Sequence, residues 1–125
     1  MNINLDSDKP IFIQIAEAIE DAIISGAFEE NTQVPSITEL SVSYKINPAT
    51  ALKGVNILVD NGVVIKRRGI GMFVQEGAVS QLKQQRKERF YDSFISGLIS
   101  EAKRLGLTEV EVKTLIERGF NNELH

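Results

Sequence analysis

Two short stretches of the chain combine small, polar and basic residues of the kind that proteins use to contact nucleic acids. They are Asn47, Ala49, Thr50, Lys53 and Asn56 in the first stretch, and Lys66, Arg67 and Arg68 in the second. On a helix, such residues can reach base edges in a major groove about 12 Å wide, and on a hairpin they can lie along the phosphate backbone. The types and spacing of these residues therefore indicate a surface that binds nucleic acid.

Cysteine and histidine, two residue types common in enzyme active sites, are absent or nearly absent from this sequence. The chain has no cysteine, which excludes disulfides, thiolate catalysis and cysteine-ligated zinc. Its one histidine, His125, is the last residue of the sequence. The sequence contains no P-loop, no dinucleotide-binding fingerprint and no carboxylates at metal-ligand spacing. We therefore expect neither an enzyme nor a bound metal or cofactor.

The net charge of −3 hides an uneven distribution of charge along the chain. Residues 1–35 carry −6, residues 36–76 carry +2 and residues 77–125 carry +1. Both stretches of candidate contact residues lie in the positive middle section. A basic patch on an otherwise acidic protein can still be the electrostatic footprint of a phosphate-binding surface.

Length and hydropathy favour one globular domain with a short appendage. The 125 residues are 42% apolar and 25% charged, as in an ordinary folded protein. No apolar run approaches the roughly 18 residues needed to cross a bilayer, and the N-terminus lacks a signal-peptide pattern. We therefore expect a cytoplasmic protein without a membrane partner.

Hydrophobic spacing and capping residues predict two helices in the first part of the chain. Apolar residues three and four positions apart predict a helix over residues 9–25. Ser36 and Glu39 match a capping box, in which each side chain accepts a backbone N–H of the other residue. A short second helix is therefore predicted from Ser36 to about Tyr44.

A third helix and a hairpin are predicted to follow after a tight connection. Asn47 can cap this helix, Pro48 suits its first position, and Gly62 can end it. The hairpin is predicted from β-rich runs at residues 63–67 and 72–75, joined by the glycine-containing residues 68–71.

The pattern after residue 78 is purely helical. Thr108 and Glu111 match a second capping box, which opens a last helix that is predicted to stop near Gly119. Two helices of this size cannot bury an apolar stripe by themselves. They must therefore pack on the first part of the chain or on a second copy of themselves, and we expect the stripe to form a homodimer interface. Its residues are Phe90, Phe94, Leu98 and Leu105.

The predicted fold is mainly α with a small β-hairpin. A short helix, a tight turn, a second helix and a basic hairpin follow one another in the order of a winged helix-turn-helix. We assign this domain to residues 9–77 and a two-helix dimerisation and effector tail to residues 78–125.

Three motifs between Pro10 and Val74 carry a more specific resemblance. They are Pro10-Ile11-Phe12-Ile13-Gln14-Ile15, Val34-Pro35-Ser36-x-x-Glu39-Leu40 and Gly62-Val63-Val64-x-x-x-Arg68-Gly69-x-Gly71-Met72-Phe73-Val74. Together they resemble the N-terminal domain of the GntR family of bacterial transcription regulators. Asn47-Pro48-Ala49-Thr50 and the short tail resemble the YtrA-type branch of that family. The resemblance implies a homodimeric transcription factor, commonly a repressor, that binds a double-stranded DNA operator with an inverted repeat.

The resemblance also implies which residues contact DNA. Ser36 falls where the family binds phosphate, whereas Thr38 occupies a position that is usually arginine. Leu52 stands where a polar or basic residue is common, and Lys53 retains the adjacent positive charge. Arg68 aligns with the wing tip that reaches toward the minor groove. The predicted DNA-binding set is Ser36, Thr38, Asn47, Pro48, Ala49, Thr50, Lys53, Arg67, Arg68 and Gly69.

Each of these features also has a simpler structural interpretation. Ser36 and Glu39 would cap a helix without any DNA, and a basic strand edge can serve only to discourage aggregation. The alternative function is that of a winged-helix adaptor that binds protein and not DNA.

In the tail, we predict that Arg86 and Tyr91, beside the aromatic stripe, contact a small-molecule effector of unidentified chemistry.

Overall fold

Six α-helices and one two-stranded hairpin make up residues 3–122, the part of the chain that the computed structural model describes. They are α1 (Ile11–Ser25), α2 (Ile37–Tyr44), α3 (Pro48–Asp60), β1 (Val64–Arg67), β2 (Gly71–Val74), α4 (Ala78–Phe90), α5 (Ser96–Arg104) and α6 (Glu109–Asn122). A π-helical turn, Tyr91–Ile95, joins α4 to α5. The chain divides into two compact units, Met1–Gln85 and Arg86–His125. This architecture confirms the predicted fold class. His125 lies outside the described residues.

The predicted capping residues begin the helices of the first unit. The Ser36 hydroxyl accepts the Glu39 N–H at 3.1 Å, and the Glu39 carboxylate accepts the Ser36 N–H at 3.1 Å. The Asn47 side chain accepts the Ala49 N–H at 2.8 Å, with Pro48 at the first helical position. These contacts satisfy backbone donors that a helix N-terminus leaves unpaired, so α2 and α3 begin where the sequence predicts.

The core of the first unit lies where α1 packs on α3. Gly54 of α3 is buried, and a Cβ atom at this position would lie 2.7 Å from the carbonyl oxygen of Phe12 and 3.0 Å from Cγ2 of Ile15. The missing side chain therefore lets α3 approach the backbone of α1. Other residues that are fully buried in this core are Ile15, Ile19, Ile23, Ala51, Val55 and Leu58.

The hairpin has a third strand-like segment as its neighbour. β1 and β2 pair antiparallel, with Val64 opposite Val74 and Arg67 opposite Gly71. The Val34 N–H donates to the Met72 carbonyl at 2.8 Å, and the Val74 N–H donates to the Thr32 carbonyl at 3.0 Å. The sequence pattern predicts only a loop before Val34, because this pairing joins residues that are distant in the chain.

The first turns of α4 belong to the core of the first unit. Ala78 and Leu82 are buried in it. The Glu30 carboxylate accepts the N–H groups of Gly77 and Val79 at 2.9 and 3.0 Å and so caps this helix from a distant loop. The predicted domain boundary after residue 77 thus coincides with the start of α4, while the compact unit runs on to Gln85.

The second unit contains the predicted second capping box. The Thr108 hydroxyl accepts the Glu111 N–H at 3.2 Å, and the Glu111 carboxylate accepts the Thr108 N–H at 3.0 Å. The prediction that α6 stops near Gly119 is wrong, because the helix continues to Asn122. A glycine ends a helix when it adopts a left-handed conformation, and among the described glycines Gly106 does so but Gly119 does not.

We expect Gly54→Ala to destabilise the protein by about 1 to 3 kcal/mol, because the added methyl group must push α3 away from the α1 backbone. Gly119→Ala is the matched control, since Gly119 is also helical and a Cβ atom added there would meet nothing outside its own helical turn within 4 Å. The control should leave stability unchanged or raise it by up to about 1 kcal/mol. Urea unfolding followed by circular dichroism measures both. A Gly54→Ala protein as stable as wild type would contradict the close approach.

A second prediction concerns Glu30. Its hydrogen bonds from the Gly77 and Val79 N–H groups lower the pKa of the Glu30 carboxyl below the ordinary value of 4.5. The carboxylate therefore stabilises the fold fully above pH 4.5, and this contribution is lost as the pH falls through the folded-state pKa.

We expect Glu30→Gln to unfold at lower urea concentration than wild type at neutral pH, with the difference shrinking as the pH falls into the carboxylate range. Glu29→Gln is the control, because Glu29 is the neighbouring exposed carboxylate. A difference between Glu30→Gln and wild type that stays constant with pH would argue against the cap.

Candidate nucleic-acid interface

The exposed face of α3 begins at its first turn. Pro48 and Ala49 are exposed, and the same face continues through Leu52, Lys53 and Asn56, while Ala51 and Val55 point into the core. Residues three and four apart share one face of a helix. The first turns of α3 therefore present a narrow ridge of small, apolar and polar side chains.

The N-terminus of α2 presents its own polar groups. Thr38 is exposed, and Ser36 is half-buried because its side chain is part of the capping box. A helix N-terminus favours negative charge, since its unpaired N–H groups and the helix dipole both point outward. The capping role of Ser36 is present in the structure, and contact with phosphate stays a prediction.

The hairpin presents three consecutive basic residues in three different settings. The Lys66 ammonium donates to the Asn56 side-chain oxygen on α3 at 3.1 Å. The Arg67 guanidinium lies over the ring of Phe73, 4.5 Å from its centroid. Arg68 is exposed at the turn, next to Gly69 with its φ of +77°. The hairpin is thus joined to α3 at Lys66 and carries exposed positive charge at its tip.

Two residues that support this surface were not predicted from the sequence. The Gln33 amide donates to the carbonyl of Ile70 at 3.1 Å and so supports the hairpin turn from the adjacent segment. Phe12 of α1 lies beneath Lys53, with the ammonium 4.1 Å from the ring centroid. Cation–π contacts of this kind hold a basic side chain in place without neutralising its charge. Sequence spacing cannot reveal either contact, because both depend on how distant elements pack.

The aromatic residues of the tail are exposed. The rings of Phe90 and Phe94 lie 5.4 Å apart between centroids, and Phe94 is 64% exposed. Tyr91 and Arg86, the two residues predicted to contact an effector, are also exposed. The predicted dimer interface and effector contacts depend on these exposed side chains, of which Phe90 and Phe94 are in ring contact.

An open apolar groove of about 350 Å³ lies between α5 and α6. Its lining residues are Leu98, Glu101, Ala102, Leu105, Leu107, Val112, Leu115 and Ile116. Two of the four residues predicted to mediate dimerisation, Leu98 and Leu105, line this groove, whereas Phe90 and Phe94 lie outside it.

Metal-binding clusters and membrane-spanning helices are both absent from residues 3–122. Within this range, no group of three or more histidine, cysteine, aspartate or glutamate side chains could hold a metal ion. None of the helices in the same range has the length and apolar character that a bilayer crossing requires.

A helix pair joined by a tight turn, followed by a basic hairpin bonded to the second helix, defines a winged helix-turn-helix protein. Residues 13–74 match the sequence profile of the bacterial regulatory proteins of the gntR family. The "Uncharacterized HTH-type transcriptional regulator YhcF" of Bacillus subtilis (strain 168) is 30% identical over 123 residues, which span 95% of this chain and 100% of that protein. This chain belongs to the gntR family.

Further relatives agree with this assignment. The HTH-type transcriptional repressor YtrA of B. subtilis is 24% identical, and the match covers 98% of this chain and 99% of that protein. A solved GntR family transcriptional regulator from Listeria monocytogenes has a TM-score of 0.75 at 25% identity, over 91% of this chain and 98% of that one. The AraR DNA-binding domain, solved in complex with operator ORX1, has a TM-score of 0.54 at 25% identity, over 59% of this chain and 92% of that one.

The chain is therefore a YtrA-like, DNA-binding transcriptional regulator of the gntR family. The alternative of an adaptor that binds only protein is not favoured, because both the family and the fold are those of regulators with a DNA-binding domain.

Proposed function

We propose that the protein is a transcriptional repressor that binds an inverted-repeat operator as a homodimer. It acts by binding and not by catalysis, and it works in the cytoplasm, where bacterial DNA is. The observation that carries the proposal is the 3.1 Å hydrogen bond from Lys66 to Asn56, which places the basic hairpin beside the exposed face of α3. A helix and a wing held together in this way can contact adjacent parts of one duplex.

Each predicted contact residue has a specific part in this proposal. The N-terminus of α2, with Ser36 and Thr38, faces a phosphate, and Asn47 orients the start of α3. Pro48, Ala49 and Thr50 enter the major groove at the first turn of α3. Lys53 contacts a phosphate beside the groove, and the hairpin, through Arg67, Arg68 and Gly69, follows the backbone toward the minor groove. Basic side chains and helix N-termini are the usual phosphate ligands of such domains.

The tail supports the homodimer through its unburied apolar surface. Ala102 is the one buried residue between Arg86 and Asn122, although this segment carries many large apolar side chains. Phe94 and Leu105 are 64% and 66% exposed. A second copy would remove this surface from water, and a two-fold axis would set two recognition helices about 34 to 36 Å apart, one turn of DNA.

Any small-molecule effector of the protein is proposed to bind the tail beside Arg86 and Tyr91. An aromatic surface next to one fixed positive charge suits a small anionic or aromatic compound. Such a compound can change DNA affinity only by favouring one arrangement of the dimer, so DNA must change its binding by the same factor.

We expect Arg68→Ala and Lys53→Ala to weaken DNA binding in different ways. If Arg68 enters the minor groove, its loss costs about 1 to 3 kcal/mol and changes the preference for A·T pairs. Lys53→Ala removes a phosphate contact, so it weakens all sequences alike and lowers the slope of log K against log salt by about 1.

Fluorescence anisotropy with labelled duplexes over about 50 to 200 mM salt measures both effects. Lys113→Ala is the matched control, because it removes one charge from α6 in the other compact unit. Unchanged affinity in both test variants would show that this surface does not bind DNA.

We expect Phe94→Glu and Leu105→Glu to shift the protein from dimer to monomer and to weaken operator binding, since each buries a carboxylate in the proposed interface. Leu5→Glu is the control, because it makes the same change at an apolar residue of the first unit that is 75% exposed. Light scattering coupled to gel filtration gives the mass. Full dimerisation of both tail variants would rule out this interface.

A further inference from the structure

Most of the polar side chains on the exposed face of α3 already bind other parts of the protein. Asn47 caps the helix through the Ala49 N–H. The Lys53 ammonium lies over the Phe12 ring, and the Asn56 side-chain oxygen accepts a hydrogen bond from Lys66. These contacts hold the three side chains in place, so the side chains have little freedom to rotate toward a base edge.

The exposed side chains that remain on this face are apolar, whereas the polar Thr50 is half-buried. Leu52 is 41% exposed, and Ala49, one turn earlier, is exposed as well. Their positions are three residues apart, which corresponds to about 4.5 Å along the helix axis. This spacing is close to the rise of about 3.4 Å between neighbouring base pairs, so the two side chains can meet adjacent pairs.

One chemical group on the floor of the major groove matches such side chains. Among the base-pair edges there, only thymine presents an apolar group, its 5-methyl, and small apolar side chains are known to contact it. Leu52 precedes Lys53 in the chain and lies one turn before Asn56, whose side chain binds the Lys66 ammonium. Positive charge near Leu52 favours DNA over an apolar protein surface as the occupant.

We propose that Leu52, together with Ala49, recognises the 5-methyl groups of thymines in the operator. This inference rests on the proposed function, because it requires α3 to enter the major groove. The inference adds one requirement to the operator sequence, because a thymine must lie where α3 crosses each half-site. Sequence preference at that position then comes from apolar contact and not from a hydrogen bond.

The test replaces thymine by deoxyuridine, which removes the methyl group and leaves base pairing intact. A duplex is first selected with the full-length protein from a random-sequence library, and each thymine is then replaced in turn. We expect one or two positions at which the replacement weakens binding about fourfold, the value of burying one methyl-sized group. Fluorescence anisotropy at constant salt measures the affinity.

Leu52→Ala connects the effect to the side chain. At the sensitive position that faces Leu52, we expect this variant to bind the thymine and deoxyuridine duplexes equally well, while a position that faces Ala49 keeps its difference. Val42→Ala is the matched control, because Val42 is also apolar and 73% exposed but lies on α2. The control should keep the fourfold difference of wild type. Circular dichroism spectra verify that both variants are folded.

Three results would overturn the inference, and they are distinguishable. If the selection recovers no duplex, the proposed function fails and the inference fails with it. If a duplex binds with the expected salt dependence but tolerates every replacement, the proposed function stands and only the thymine contact is wrong. If Leu52→Ala keeps the thymine-to-deoxyuridine ratio of wild type at every sensitive position, Leu52 does not make the contact.

Discussion

The position of α3 depends on the contact between Gly54 and the backbone of α1. Because Gly54 has no side chain, α3 can lie against the carbonyl oxygen of Phe12. The same turn of α1 then places the Phe12 ring beneath Lys53 on the exposed side of α3. One helix contact thus sets how closely α3 packs on α1 and where the Lys53 ammonium lies. The position of the hairpin depends on α3 in turn, because Lys66 of β1 donates a hydrogen bond to Asn56, two residues beyond Gly54.

The loop before α2, residues 29–34, holds two other elements in place, although its composition indicates only a connection between helices. A two-stranded hairpin alone is at best marginally stable in water. Here Thr32 and Val34 exchange backbone hydrogen bonds with β2, and the Gln33 amide supports the turn. Within the same loop, Glu30 caps α4. The loop therefore stabilises both the wing and the start of the helix that leads into the tail.

The sequence was informative where the controlling interaction is local. Capping residues such as Ser36, Asn47 and Thr108 bond within three positions of themselves, so their spacing was sufficient to predict where helices begin. Glu30 bonds to residues 47 and 49 positions away, and no local pattern predicts such a contact. The motifs identified the family, whereas the surface that faces DNA and the individual DNA, dimer and effector contacts remain predictions.

The C-terminal end of α6 also shows that a local sequence signal is insufficient to predict the end of a helix. A glycine permits a left-handed conformation but does not impose one, so Gly119 could be read as a stop although the helix continues. Gly62 and Gly106 do adopt the left-handed conformation and do end their helices. What distinguishes them is the path of the chain that follows, which is a property of the fold.

The π-helical turn at Tyr91–Ile95 has an evolutionary consequence for the tail. Its defining bond runs from the Ser96 N–H to the Tyr91 carbonyl, five residues back, so the turn holds one residue more than an α-helix would. Loss of a single residue there would restore a regular helix, and the side chains of α5 would keep nearly the same direction relative to Phe90, because the wide turn already absorbs the extra residue. Single-residue deletions in this segment should thus be compatible with the same tail surface, whereas a deletion within the regular helix α5 would rotate the residues after it by about 100°.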